Sequence, residues 1–562
     1  MSVPRRARPA GVACLAVLTL GSTACRSSTA PAATYLAFIT EPTDAMAGAP
    51  IGPAIRVEVR DPTGHRVPDA DPAVTLRLSA NPGGAVLGGT TTRSAVNGVA
   101  TFSDLSLAKA AAGYTLSATA APSGAATSVS FSVSPAAAAG LRFLSQPDTA
   151  QAQMAFNPAV QVAIADAFGN LVADASPDVT VALLVNPPGA VLLGVTTAAA
   201  VHGVAQFDPL SVALPGDGFV LQASSPGLSS APSAPFSVRL GFALVSGGGL
   251  HTCAVTVAGF AYCWGGNGGG QLGDGTTIER HLPTPVAGTL KFSLVSAGNG
   301  HTCGVTTEHV AYCWGSNDVN QLGDGTTSAR SAPTPVVGGL AFAQVSAGYD
   351  HTCGITTDSV AYCWGRNDLG ALGDSSTVQR ATPTRVAGGL SFTQVAANTH
   401  TCGIARGNVA YCWGGNAAGE LGDPTVTFYS VSPTRVAGTL SFGLVSAGAH
   451  HTCGLTTAAQ AYCWGQGFGG TPTLIAGAPG FVQLSAGGDH TCAVTSGNAA
   501  YCWGDNIYGA LGDGTTTARA TPTPVVGSLN FVLVSAGAQH SCGITTSKVA
   551  YCWGYNFYGG LG

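Results

Sequence analysis

Fourteen of the sixteen cysteines stand in seven pairs, each ten residues apart: Cys253 and Cys263, Cys303 and Cys313, Cys353 and Cys363, Cys402 and Cys412, Cys453 and Cys463, Cys492 and Cys502, Cys542 and Cys552. Two chemistries are open to such thiols, cross-linking and metal ligation. If each pair flanks a hairpin with a three-residue loop, as at Val257-Ala258-Gly259, its members face each other across two strands. Opposed side chains share a face with Cβ atoms about 4.5–5.5 Å apart, which permits a disulfide where the strand geometry allows it. The rival is metal, because His251 lies two residues before Cys253 and could join it and Cys263. Structural zinc wants four ligands and usually a tighter Cys spacing. Disulfides are therefore expected, with no metal or cofactor assigned. The recurring histidines, His251, His301, His351, His400, His451, His490 and His540, are expected to satisfy backbone groups at a turn.

The elements that must position these cysteines repeat with a period near 50 residues, starting at Phe242, Phe292, Phe342, Phe392, Phe442, Phe481 and Phe531. The fifth unit is shorter because it lacks the long loop that follows its neighbours' tryptophan. Each unit reads Phe-x-x-Val/Leu, then His-Thr/Ser-Cys, then Ala-Tyr-Cys-Trp-Gly, and most continue with Asn, a Leu-Gly-Asp turn and a Pro-Thr strand. In the first unit this predicts strands over 242–246, 251–256, 260–264 and 283–286. Such units cannot bury both faces alone, so they stack around an axis as a β-propeller. The Gly, His, Tyr-x-Trp-Gly, Asn and Leu-Gly positions resemble the regulator of chromosome condensation repeat family, and the resemblance implies seven blades over residues 240–562. The seventh unit stops at Leu561-Gly562, where its outer strand would follow, so the last repeat reads as incomplete and the chain as truncated. Pro235-Phe236-Ser237-Val238 could supply that strand, but it also matches the end of a preceding repeat, to which it is assigned.

That preceding repeat emerges on shifting the sequence by 105 residues, which lays Phe38 on Phe143, Asp61 on Asp166, Gly98 on Gly203 and Phe131 on Phe236. Alternating runs such as Ile55-Arg56-Val57-Glu58-Val59 read as half-buried strands. Short strands punctuated by turns over about 100 residues predict two sandwiches, 35–135 and 140–239, which resemble the Ig-like modules of bacterial surface proteins. The fold class is thus all-β: two Ig-like sandwiches followed by a seven-bladed propeller. Before them, Arg5, Arg6 and Arg8 precede an apolar run that ends at Ser22-Thr23-Ala24-Cys25. Residues 1–25 read as an export signal. Cys25 sits as in the lipobox of bacterial lipoproteins, although Ser22 stands where that family usually has Leu. Residues 26–34 read as a tether, and the chain as exported to a bacterial envelope, touching the membrane through the lipid alone.

The 562 residues carry 9% charged side chains and a net charge of -5, which argues against a nucleic-acid partner. No nucleophile elbow, phosphate loop or zinc-protease helix occurs, so no enzyme is expected. Asp274, Asp324 and Asp513 lie in Leu-Gly-Asp turns that hint at calcium, but one carboxylate per turn is too few. Comparison of the units leaves two variable loop classes. One precedes the histidine and includes Tyr349 and Asp350. The other follows the Asn and includes Asp318, Val319, Asp368, Leu369, Ile507, Tyr508, Phe557 and Tyr558. Exposed aromatic and aliphatic tips of this kind suit partner anchoring. The expected function is a binding or adhesive scaffold for an extracytoplasmic protein or glycan. The family resemblance also implies two alternatives, a guanine-nucleotide exchange factor and a secreted enzyme inhibitor.

Overall fold

A computed structural model describes residues 34–186 and 190–562. Residues 1–33, which hold the expected leader, Cys25 and most of the tether, lie outside the described residues. Every regular element among the described residues is a β-strand.

The first 100 described residues fold as two sheets over one core. Tyr35–Thr40, Ile55–Arg60 and Val99–Phe102 make one sheet. Ala111–Thr119 pairs with Ala73–Ala80 on one side and Phe131–Ser134 on the other in the second. The period-two alternation predicts the outcome: Ile55, Val57 and Val59 are fully buried, against Phe102, Leu116 and Tyr114. Residues 138–239 repeat the same strand order, which is the physical origin of the 105-residue correspondence. The central strand Val160–Asp166 is buried on both faces beyond its first residues. Its outer face meets the preceding sandwich, where Asn170 Nδ2 donates to the Ala108 carbonyl at 2.8 Å and the Ala110 N–H to Asn170 Oδ1 at 3.0 Å. Phe236–Arg239 pairs with Gly216–Ser224 and Thr149–Gln151 and so belongs to this sandwich.

From Phe242 onward the chain forms a seven-bladed β-propeller. Six blades have four antiparallel strands and the seventh, Phe531–Ala536, His540–Thr545 and Ala550–Gly554, has three. Two expected boundaries move. The third strand of the first blade begins at Ala261, because Phe260 closes the preceding turn by accepting the Thr256 N–H at 2.8 Å. The outer strand begins at Arg280, three residues before the expected Pro283, because Arg280 pairs opposite Gly265 while Asp274 holds its guanidinium. Gly265 and its six counterparts have φ between 101° and 110°. A Cβ at Gly265 would come within 2.6 Å of the Leu250 carbonyl oxygen, so this position requires glycine.

The seven expected cysteine pairs are joined as disulfides, with Cα atoms 4.0–4.1 Å apart. Each hydrophobic core straddles a joint between blades. The first contains Cys253, Cys263 and Leu272 of one blade and Phe292 and Trp314 of the next. Burying one indole removes about 150–250 Å² from water, or roughly 4–6 kcal/mol as an upper bound. The innermost strands are tied by a hydroxyl ladder: Ala297, Ala347, Ala397, Ala486 and Ala536 N–H groups each donate to a serine of the preceding blade at 2.9–3.0 Å. The Gly247 N–H donates to Ser535 Oγ at 3.0 Å, so the ladder closes the ring between the seventh and first blades.

Candidate functional site

The seven repeat histidines are buried strand residues that join blade to blade, which corrects the expectation of turn residues serving backbone groups. His251 Nε2 lies 2.8 Å from Thr302 Oγ1 of the next blade, His301 Nε2 the same distance from Thr352, and so on around to His540 and Thr252. The Thr302 hydroxyl also donates to the Gln271 carbonyl at 2.9 Å. A hydroxyl has one proton, so it receives a hydrogen bond from His251, whose ring is therefore protonated on Nε2. Burial pushes these imidazoles down, His251, His301, His400 and His490 to about 3 and His351, His451 and His540 to about 4. They are neutral and engaged. With both sulfurs in a disulfide, the metal reading at His251, Cys253 and Cys263 is left with one unpartnered atom, His251 Nδ1, far short of the four ligands zinc wants.

The Leu-Gly-Asp turns are staples. Asp274 Oδ2 takes Arg280 Nε at 2.8 Å while Oδ1 accepts the Thr276 N–H and hydroxyl at 3.0 and 2.7 Å. Asp324, Asp374 and Asp513 do the same with Arg330, Arg380 and Arg519. Burial alone would raise the carboxyl of Asp513, but bonds from Thr515, Arg519 and Asn506 outweigh it and hold it at about 2. The fourth blade has no such arginine, and Phe428 and Tyr429 stand there exposed.

What remains free is the loop face, and the two variable loop classes meet on it. Backbone N–H groups of Gly266, Ser316, Arg366, Gln466, Asp505 and Tyr555 each donate to the carbonyl of the residue before the repeat histidine, at 2.8–3.0 Å. Every blade but the fourth thereby stitches its histidine loop to its tryptophan loop. On the third blade this gathers Tyr349, Asp350, Asp368 and Leu369 around a pocket of about 220 Å³. Arg366 organises it, with Nε and Nη2 on the two Asp368 oxygens at 2.8 and 2.9 Å and Nη1 on Asp350 at 3.1 Å. Those two carboxylates hold its pKa above the ordinary arginine value.

The sixth and seventh blades present an aromatic cluster. Tyr508 and Tyr555 meet edge to face with centroids 4.8 Å apart, Tyr555 stacks on Phe557 at 6.4 Å, and Phe557 meets Tyr558 at 5.0 Å. Ile507 and Phe557 are 66% and 74% exposed, so apolar surface that burial would stabilise is left in water. Asp318 and Val319 lie on the second blade, apart from both clusters, with the Val319 N–H held by Gln321. Sequence comparison of the units missed Arg366, Tyr555, Phe428 and Tyr429. Arg366 and Tyr555 follow the invariant Gly, where Gly266, Ser316, Gln466 and Asp505 stand in other units, and that variation is the signal that could have found them. Among the described residues no cluster of His, Cys, Asp or Glu could hold a metal ion, and no helix is long and apolar enough to cross a membrane. The arrangement offers a charged clamp and aromatic anchors on a fixed ring, which is chemistry for binding.

Two descriptions of the regulator of chromosome condensation (RCC1) repeat match this region, one at 258–305, 308–355, 358–404 and 498–544, the other at 292–321, 342–371, 481–510 and 531–559. No curated protein matches the sequence. Among solved structures, human WBSCR16 is 20% identical with a TM-score of 0.52, covering 58% of this chain and 94% of its own. Prp20p of Saccharomyces cerevisiae, described with its binding to Gsp1p and histones, is 20% identical with a TM-score of 0.48, covering 56% and 83%. The CRINKLY WD40 ectodomain of the Arabidopsis thaliana receptor kinase ACR4 is 20% identical with a TM-score of 0.40, covering 57% and 99%. The C-terminal part of this chain is thus a β-propeller that carries regulator of chromosome condensation (RCC1) repeats.

Proposed function

We propose that this chain is an exported, lipid-anchored binding protein without catalytic turnover. In this reading Cys25 carries the lipid, the sandwiches 35–135 and 140–239 are Ig-like spacers, and the loop face of the propeller binds an extracytoplasmic protein. The observation that carries it is the cluster of exposed Ile507, Tyr508 and Phe557 with half-buried Tyr555 and Tyr558, mounted on blades each locked by a disulfide. Rigid aromatic side chains bind at low entropic cost, and a scaffold that does not relax keeps that advantage. The seven disulfides suit an oxidising compartment. That compartment holds no cytosolic GTPase, which weighs against the exchange-factor alternative. The test is capture from native envelope material by the full chain and by a Tyr508→Ala/Phe557→Ala variant. Specific capture should fall about tenfold or more in the variant, with tryptophan emission unchanged. Equal capture by both would sink the reading. Anchoring is tested apart from this, because Cys25→Ala should release the chain from membranes.

A further inference from the structure

The fifth blade lacks a loop that every other blade inserts into the joint beside it. In five joints the inserted loop offers one backbone carbonyl to two buried donors of the neighbouring blade. Gln271 O accepts from Trp314 Nε1 and Thr302 Oγ1, both at 2.9 Å. Gln321, Glu420, Ala510 and Gly560 repeat this with the indole and hydroxyl of the following blade. In a sixth joint the Ala371 carbonyl is present and holds Thr401 at 2.9 Å, while the Trp413 indole goes unpartnered. Only between the fifth and sixth blades is there no such carbonyl at all. There Trp503, 1% exposed, has an unpartnered Nε1, and Thr491 Oγ1 bonds no carbonyl oxygen and meets only His451 and Cys453.

A cleft of about 390 Å³ occupies the vacated place, lined by Phe468, Asp489, Thr491, Trp503, Asp505 and Arg519. In the first joint, the loop's Gly270 lies against Arg330 and Ser331 of the next outer strand and its Gly273 against the Trp314 ring. Arg519, Ala520 and Trp503 are the corresponding residues, and all three line the cleft. Phe468 packs into the joint core where the other blades place Leu272 or its counterparts. The apolar half of the slot is thus filled by the chain itself and the polar half is open. Arg519 is held by Asp513, whereas Asp489 and Asp505 are exposed and form no ion pair among the described residues.

We propose that this cleft is a docking slot for a peptide turn of a partner protein. The turn enters as the missing loop would, with one backbone carbonyl accepting from Trp503 Nε1 and Thr491 Oγ1. A glycine two residues further along rests against the indole, and a lysine or arginine two residues before the carbonyl, where Gly269 meets Ser316 in the first joint, faces Asp505 and the adjoining Asp489. A peptide is the occupant because a peptide carbonyl fills this position in the other joints. The proposal rests on the binding-scaffold reading and adds the chemistry of the partner.

The probe is the peptide Asn-Gly-Lys-Gly-Gln-Ala-Gly-Asp, the first-blade loop 267–274 with Gly269 exchanged for lysine and Leu272, whose place Phe468 takes, for alanine. It is titrated into full-length, disulfide-intact protein while the indole N–H resonances are followed, that of Trp503 being assigned with Trp503→Phe. The Trp503 resonance is expected to move downfield, saturably, with the other indoles still. Asp489→Asn/Asp505→Asn, two surface changes that leave the core intact, should weaken binding about tenfold. Grafting the loop of the second blade into the fifth should abolish it. The proposal is overturned if saturating peptide leaves the Trp503 resonance in place, if both variants bind as the parent does, or if chitooligosaccharide moves that resonance and the peptide does not. The loop-tip variant Tyr508→Ala/Phe557→Ala should bind this peptide normally, so loss of the scaffold reading and loss of the slot are separate results.

Discussion

The sandwiches and the propeller are both all-β, yet they are held together differently. Each sandwich has one core of about 20 buried residues, assembled from strands far apart in sequence and without a disulfide. The propeller has seven small cores of 7 to 11 buried residues, each split across a joint. A core that small cannot order a blade alone. Local disulfides limit each hairpin's unfolded freedom, and the ring of histidines, hydroxyls and carbonyls makes every blade depend on its neighbours. A repeated polar joint therefore replaces a large apolar centre, and what breaks the joint should spare the sandwich.

Reduction is the strongest way to separate the two. A ten-residue disulfide loop restrains the unfolded chain by about 2–3 kcal/mol on the entropic scale, and there are seven. All seven tryptophans lie in the propeller, so their emission reports it alone. Under reductant the emission should shift red at a denaturant concentration where amides of Ile55 to Val59 stay protected. Simultaneous loss of both signals would end the distinction.

Acid comes next, and its sign follows from the histidines. Their folded pKa values of about 3 to 4 lie below the unfolded 6.5, so the unfolded chain binds more protons in between. Propeller stability is present above about pH 6.5 and lost as the pH falls toward 4, by up to about 1.4 kcal/mol per pH unit per histidine. The sandwiches' described histidines, His65 and His202, are exposed. Their buried titrating group is Asp166, where burial raises the pKa but bonds from Asn170, Ala136 and Phe168 bring it below 3.8. Sandwich stability should therefore begin to fall only near pH 4. Unfolding midpoints at pH 7, 5.5 and 4.5 by emission and by amide exchange would reveal the offset, and parallel curves would refute it.

A smaller test probes the cores themselves. Phe102→Ala in the first sandwich should cost about 3–5 kcal/mol and leave the tryptophan transition unmoved. The smallest sharpens the comparison inside the ring. Thr302→Val strands both an imidazole and a carbonyl and should cost about 1–3 kcal/mol, whereas Thr491→Val strands only His451 and should cost roughly half as much. Equal losses would mean that the missing carbonyl matters little to the fifth joint.

The sequence alone determined the parts of this protein that follow from local spacing. A ten-residue Cys interval across a tight hairpin admits one opposed geometry, and a period near 50 with a single Trp per unit admits few architectures besides a ring. Period-two alternation placed the sandwich strands, and the match of Phe236 to Phe131 assigned Phe236–Val238 to the second sandwich. Hydrogen bonds between units were not legible, because a partner 51 residues away leaves no local pattern. His251 therefore read as a turn residue until Thr302 stood beside it. Likewise Arg366 was invisible as a clamp, since only folding brings Asp350, sixteen residues earlier, to the same pocket as Asp368. The missing loop of the fifth blade was plain in the sequence. That its absence leaves the Trp503 indole unpaired beside an open cleft was decided by the tertiary structure, because the loop's carbonyl satisfies donors on the neighbouring blade.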